Sequence, residues 1–145
     1  MMIPKKDSAE NLDSATIELE IPFYDVDGWN IVWHGNYFKY FEAARTVLFR
    51  RKQLDVPECT ALGYLWPVID CQARFIAPAR YGMRLQVTAI LEDIEHRIKV
   101  RYEIHEKVSG KKLVKGYTIQ VAVHKETGEM CLATPDVFLD LLRKK

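Results

Sequence analysis

Apolar and polar residues alternate from Thr16 to Ile21, with Ile17, Leu19 and Ile21 on one side and Thr16, Glu18 and Glu20 on the other. A period of two is that of a strand with one buried face. The period then changes. Tyr37, Tyr40, Phe41, Ala44 and Leu48 recur at steps of three and four, which places them on one face of a helix running to about Lys52. Asn36 is positioned to cap that helix, while Glu42, Arg45 and Arg50 fall on its remaining surface. No second helix of comparable length is evident. Beyond it the period returns to two: Ile69, Cys71, Ala73 and Phe75 alternate with Asp70, Gln72 and Arg74, and Pro78 and Gly82 break the run. Leu85, Val87, Ala89 and Leu91 predict the next strand, and Ile98, Val100, Tyr102 and Ile104 the one after it. Ser109-Gly110 reads as a turn. Tyr117, Ile119, Val121 and Val123 are expected to form the inward set of a last long strand that ends at Glu126-Thr127-Gly128, with a short stretch at Cys131 following. Thr134 is expected to cap a short C-terminal helix with Pro135 at its first position, and Arg143, Lys144 and Lys145 suit its negative end.

One strand, one long helix and a meander of strands predict an α+β chain whose antiparallel sheet wraps the helix to bury its aromatic face. Other one-layer folds, cystatin-like ones among them, share that pattern. At 145 residues and 48% hydrophobic, the chain suits one core, and we expect a flexible segment over residues 1–14 and one domain over 15–145. The 21 basic residues balance 20 acidic ones, which gives no reason to expect nucleic acid as a partner. No run has the length and apolarity of a signal peptide or membrane span, so the expected setting is cytoplasmic, without membrane insertion. Cys59, Cys71 and Cys131 are scattered and lack any Cys-x-x-Cys spacing, which fits reduced, buried thiols rather than a zinc or disulfide framework. His96, His105 and His124 likewise lack ligand-like spacing, and neither a metal nor a cofactor is expected.

The chemistry concentrates in the stretch from Phe23 to Tyr37, between the first strand and the long helix. It holds Asp25, Asp27, His34, Trp29, Trp33, Gly28 and Gly35 and ends at a helix N-terminus, where free N–H groups favour developing negative charge. Hydrolysis of a carbonyl compound needs such donors on the oxygen and a carboxylate that attacks or activates water.

This stretch resembles the hotdog thioesterases of the 4-hydroxybenzoyl-CoA thioesterase and YbgC-like group. The matching residues are Asp25, Asp27, Ile31, Val32, Trp33, His34, Asn36, Tyr37 and Glu42-Ala43-Ala44-Arg45, joined by the corner Phe75-Ile76-Ala77-Pro78-Ala79-Arg80-Tyr81-Gly82. The resemblance implies a hotdog fold and hydrolysis of acyl-CoA or acyl-carrier thioesters without metal or cofactor. It also implies a homodimer or homotetramer whose active site is shared between subunits. By position, Asp27 matches the catalytic aspartate, Asp25 becomes a loop-shaping or partner-binding residue, and His34 stands where many relatives keep a functional histidine. The carbonyl is expected to be polarised by backbone N–H groups near His34, with Gly35 and Asn36 at the helix start as substrate contacts. Two positions depart from the pattern. Trp29-Asn30 replaces small residues and a glycine, and Met83 replaces an acid. The turn geometry or the pocket volume is therefore expected to differ there, asparagine being the residue that tolerates a left-handed conformation best after glycine.

Each of these residues also has a plainer reading. Loop aspartates commonly shape turns, a histidine at a helix start can merely pack, and Trp33 is assigned to the core. Trp29 either walls the acyl channel or packs beneath the loop. The alternating Arg97, Lys99 and Arg101 read as a solvated strand face, with Arg97 a candidate for the phosphates of the thiol carrier. A non-catalytic acyl-thioester or acyl-carrier-protein binding module is the competing function, and a hotdog dehydratase is disfavoured by the lack of a His-x-x-x-x-Pro-type helix start.

Overall fold

A computed structural model describes residues 12–145; residues 1–11 of the expected flexible segment lie outside the described residues. Five strands form one antiparallel sheet in the order β1 (Asp13–Glu20), β4 (Arg84–Asp93), β5 (Ile98–Glu106), β6 (Lys112–Gln120) and β3 (Val68–Phe75). The long helix α1 (Asn36–Arg51) lies across the concave face of this sheet. Its Tyr37, Tyr40, Phe41, Ala44 and Leu48 are buried as their spacing predicts, against Leu85, Val87, Ala89, Leu91, Val100, Tyr102 and Ile104. The rings of Phe41 and Tyr102 stack at 4.4 Å, joining helix and sheet at the centre of the core.

The last long strand has the opposite phase to the one expected. Val114, Gly116, Thr118 and Gln120 pair with the buried Ile104, Tyr102, Val100 and Ile98, so they face the helix, while Tyr117 and Ile119 lie on the outer face. The inward set hides from a hydrophobicity count because it is small or polar for reasons of packing. A Cβ at Gly116 would come within 2.8 Å of Phe41 Cε2, and the Thr118 hydroxyl lies 2.7 Å from Tyr102 Oη. The strand also stops at Gln120. Val123–His124 forms β7, which pairs with β2 (Tyr64–Leu65) in a separate ribbon, and Met130 bridges back to Val123 beside Cys131.

Two helix starts differ from expectation, and one helix was not expected. Gly35, not Asn36, is the cap residue of α1, because the Asn36 side chain donates to Asp25 O at 2.9 Å. A six-residue helix α2 (Val56–Ala61), capped by Asp55 and opened by Pro57, was not expected; it is too short to show a period. Thr134 does not cap α3 (Asp136–Arg143). It sits one residue too early, with Pro135 at the cap position and its own N–H on Glu95 O at 2.8 Å.

β1 starts at Asp13, inside the segment expected to precede the domain, and the reason is a buried ammonium. The Lys52 side chain is 1% exposed and places Nζ 3.0 Å from Asp13 Oδ2 and 2.5 Å from Lys144 O. Burial opposes ionisation of Asp13, but hydrogen bonds from Lys52 and Ser14 N–H and the charges of Lys52 and Arg51 outweigh it, so its pKa lies below the ordinary value. A depressed carboxylate pKa contributes stability above the unfolded pKa of about 4, and that contribution is lost as pH falls through the folded value. Lys52→Met is therefore expected to cost about 2 kcal/mol at pH 7, by leaving Asp13 and Lys144 O without their donor, and less at pH 3. Denaturant titration of both proteins at the two pH values checks this; an equal cost at both would remove the Asp13 pairing as its cause.

Candidate active site

The segment between β1 and α1 is a braced hairpin rather than an open loop. Ile21 is buried and exchanges backbone bonds with the corner after β3, through Ile21 N to Met83 O at 2.9 Å and Gly82 N to Ile21 O at 3.0 Å. After a single 3-10 turn at Phe23–Asp25, Val26 bridges Val32, and Ile31 bridges Arg80. Val32 N donates to Ala79 O at 2.8 Å, and Ala79 N donates to Tyr37 Oη at 3.3 Å. The two motifs that matched the family pattern thus pack against each other. Asn30, at the tip, has φ 59°, a left-handed conformation of the kind that asparagine tolerates best after glycine.

The two aspartates are treated very differently. Asp25 is buried, with Tyr40 Oη 2.5 Å and Lys39 Nζ 2.7 Å from its carboxylate, while its carbonyl accepts from Trp33 N and Asn36 Nδ2. Burial first, and the Asp25 carboxylate second, push the Tyr40 hydroxyl well above the usual tyrosine range. Asp25 therefore fastens the hairpin to α1. Asp27 sits at the turn: Oδ1 accepts from Trp29 N at 2.9 Å and from Ile31 N at 3.4 Å, and among the described residues nothing donates to Oδ2. One oxygen holds the carboxylate still and the other is free to take a proton or attack a carbon.

At the other leg, Trp33 is exposed rather than in the core; Val32 takes the buried place that only one residue of Ile31-Val32-Trp33 can fill. The Trp33 ring lies over Gly35, where any side chain would strike it, and 5.0 Å from the His34 ring, which is itself 6.3 Å from Phe75. His34 is exposed and shares no hydrogen bond with Asp27. The Asn36 N–H is engaged by Trp33 O at 2.9 Å, but no described residue accepts from the N–H groups of His34, Gly35 or Tyr37. An oxyanion would find its donors there.

The Trp29 indole is 82% exposed, so it does not pack beneath the loop. Arg97 is not brought to this site in one chain. It precedes β5 at the far end of the ten-residue β4, about 30 Å from the hairpin by the rise of a strand, and lies 3.9 Å from Asp93. Sequence reasoning missed the Lys39 and Tyr40 clamp on Asp25, although the first acid of Asp-x-Asp and the neighbouring helix residues were its visible parts. It also missed a 290 Å³ hollow between α1, α2 and β2, lined by Arg45, Phe49, Cys59, Trp66 and Gln120 among others. Burial, with Glu58 and Asp55 nearby, pushes the Cys59 thiol up to about 11, which leaves it inert as a nucleophile. Among the described residues no helix is long and apolar enough to cross a membrane.

A five-stranded sheet around one central helix, with a carboxylate turn beside that helix's N-terminus, defines a hotdog-fold hydrolase. The pattern of the thioesterase superfamily matches residues 30–111, more than half of the sequence, and the chain belongs to that family and is a thioesterase. The chain is 28% identical over 111 residues to the Bacillus subtilis protein YneP, whose name assigns it provisionally as an acyl-CoA thioesterase; the match covers 76% of this chain and 80% of that one. A crystal structure of the Thermus thermophilus protein TT1821 superposes with a TM-score of 0.78 at 26% identity, over 88% of this chain and 96% of that one. Slr0204 of Synechocystis, a 1,4-dihydroxy-2-naphthoyl-CoA thioesterase, shares the fold with a TM-score of 0.77 at 20% identity, over 90% and 96% of the two chains.

Proposed function

We propose that the chain hydrolyses acyl-CoA or acyl-carrier thioesters to free acid and thiol, as one domain from β1 to the C-terminus, with Asp27 as its central carboxylate. The observation that carries this is the half-tethered Asp27, with Oδ1 fixed by loop N–H groups and Oδ2 open, beside unmatched N–H donors at the start of α1. Those donors stabilise the charge that grows on the thioester oxygen. Asp27 either takes a proton from water, whose oxygen attacks the carbonyl carbon, or attacks it directly to give an anhydride that water opens. In both routes the C–S bond breaks and the thiolate takes up a proton, for which His34 is the nearest imidazole on the hairpin. A thiol-release assay over aromatic and aliphatic acyl-CoA thioesters tests the reading; binding without turnover would favour the non-catalytic module.

The functional unit is a homodimer, or a homotetramer built from it. β3 is an edge strand whose Val68, Ile69 and Phe75 are all more than two-fifths exposed in a single chain. A long apolar edge calls for a partner strand, and a two-fold axis normal to the sheet sets a second copy of β3 antiparallel beside it. The Phase of that pairing lays the Phe75 end of one copy, with its Trp33 and His34, against the Val68 end of the other, where the hollow opens.

Trp29 is then a wall of the acyl channel formed between the copies. Trp29→Ala keeps the backbone N–H that serves Asp27, so it is expected to raise kcat/KM for bulky acyl groups relative to short ones by roughly 10- to 200-fold. Kinetics across a chain-length and aromatic series decide it; a uniform loss of kcat would leave Trp29 as scaffold.

A further inference from the structure

Asn36 stands where the two legs of the hairpin meet the long helix, and it binds both. Its backbone N–H donates to Trp33 O at 2.9 Å on the second leg, and its Nδ2 donates to Asp25 O at 2.9 Å on the first. Chemistry fixes the orientation of this amide, since a carbonyl only accepts. Asp25 O also accepts from Trp33 N at 3.0 Å, so the three residues close one ring of hydrogen bonds. Asn36 is therefore neither the cap of α1 nor a free donor for a substrate.

The consequence reaches Asp27. The bonds around that residue, from Asp27 N to Ile31 O, from Asn30 N to Asp27 O and from two loop N–H groups to Oδ1, join parts of the hairpin to one another. None of them reaches the helix. Among the described residues, every side-chain hydrogen bond from α1 to the first leg ends on Asp25: those of Lys39 and Tyr40 on its carboxylate, and that of Asn36 on its carbonyl. Only the last grips the main chain, which runs extended through Val26 to Asp27, about 7 Å further on. Asn36 is also flanked by Gly35 and Tyr37, whose N–H groups, with that of His34, find no acceptor among the described residues. One side chain thus sets the separation between the carboxylate and the donors, and a reacting carbonyl must reach both at once.

We infer that Asn36 is a positioning residue of thioester hydrolysis, which holds Asp27 in register with the N–H donors and does not itself touch the substrate; the inference rests on the thioesterase reading above. Without this bond the first leg is tied to α1 through the Asp25 carboxylate alone, and its main chain can pivot about that side chain. A shift of about 1 Å at the reacting groups is enough to cost on the order of a hundredfold in rate.

Asn36→Ser tests this. Serine suits a helix start, but its hydroxyl is too short to reach Asp25 O. With the thioester that the wild type turns over fastest, kcat is expected to fall roughly ten- to a hundredfold while KM stays within about twofold, because alignment is lost and binding is kept. Asn36→His, whose Nδ1–H occupies the place of Nδ2, is expected to recover most of that loss. In an Asp27→Asn background the serine substitution is expected to change the residual rate by less than about threefold, since no carboxylate is left to align. A rise in KM at unchanged kcat would make Asn36 a substrate contact and overturn the inference. So would wild-type kcat in a folded Asn36→Ser protein, a folded histidine variant as slow as the serine one, or full additivity with Asp27→Asn. A serine variant that does not fold would make Asn36 a residue of the fold alone, with the same result. Each of these outcomes leaves the thioesterase reading intact; hydrolysis of no thioester by the wild type would strike at that reading instead.

Discussion

Replacing Asp27 by asparagine is expected to lower kcat/KM for thioester hydrolysis by roughly a hundredfold or more while leaving the melting temperature close to that of the wild type. The geometry makes this substitution unusually clean. An asparagine retains an acceptor oxygen at the Oδ1 position, so the N–H groups of Trp29 and Ile31 keep their partner and the hairpin turn keeps its shape. What changes is the free oxygen, which becomes an amide nitrogen that can neither take a proton nor attack a carbonyl. Alanine at the same place would remove both loop bonds and confound chemistry with geometry. Asp25→Asn gives the contrast. It leaves Lys39 without a counter-charge and weakens the bond to Tyr40, so its effect is expected mainly in stability. Coenzyme release and thermal melts on both proteins settle the ranking: near wild-type turnover for Asp27→Asn, or a larger catalytic loss for a stably folded Asp25→Asn, would transfer the role to the other acid.

Cys71→Lys is expected to convert the assembly to monomers and to abolish most activity with them. Cys71 is exposed and lies near the middle of the edge strand β3, so a lysine there is tolerated by the isolated chain. Placed where two copies would pair, it sets like charges close together, the device by which natural edge strands resist association. If hairpin and hollow meet only across the dimer, the monomer holds the parts of a site without their juxtaposition. Light scattering coupled to size exclusion, run at assay concentration beside the thiol-release assay, gives the answer. A lysine variant that is monomeric and fully active would refute the shared site.

How legible these features were in the sequence depends on what each residue does. The inward faces of α1, β4 and β5 could be read directly because Tyr37 to Leu48, Leu85 to Leu91 and Ile98 to Ile104 are large, apolar and regularly spaced, which is what burial without other demands selects. β6 was read out of phase because its inward positions answer to local fit, with Gly116 yielding to the Phe41 ring and Thr118 meeting a buried hydroxyl. At Asn30 the sequence offered only a residue able to accept a left-handed φ, and the backbone there uses that tolerance. Trp33 was not, because bulk and hydrophobicity cannot tell a core residue from one laid over a glycine at the surface. Arg97 illustrates the same limit at longer range: charge marked it as a phosphate contact, and only the length of β4 shows that it stands far from the hairpin of its own chain. The hollow combines residues from α1, α2, β2, β6 and α3, and no local pattern announces such a convergence.

Lys52 has a topological consequence. Because one ammonium touches both Asp13 and the Lys144 carbonyl, the path of the described chain nearly closes on itself at the C-terminal end of α1. The sixteen-residue helix separates that corner from the Asp27 hairpin by about 24 Å, at 1.5 Å of rise per residue. A circularly permuted chain, with residue 145 joined to Leu12 by a few glycines and new ends opened at the exposed Ser109-Gly110 turn, should therefore reach the same fold with its hairpin undisturbed.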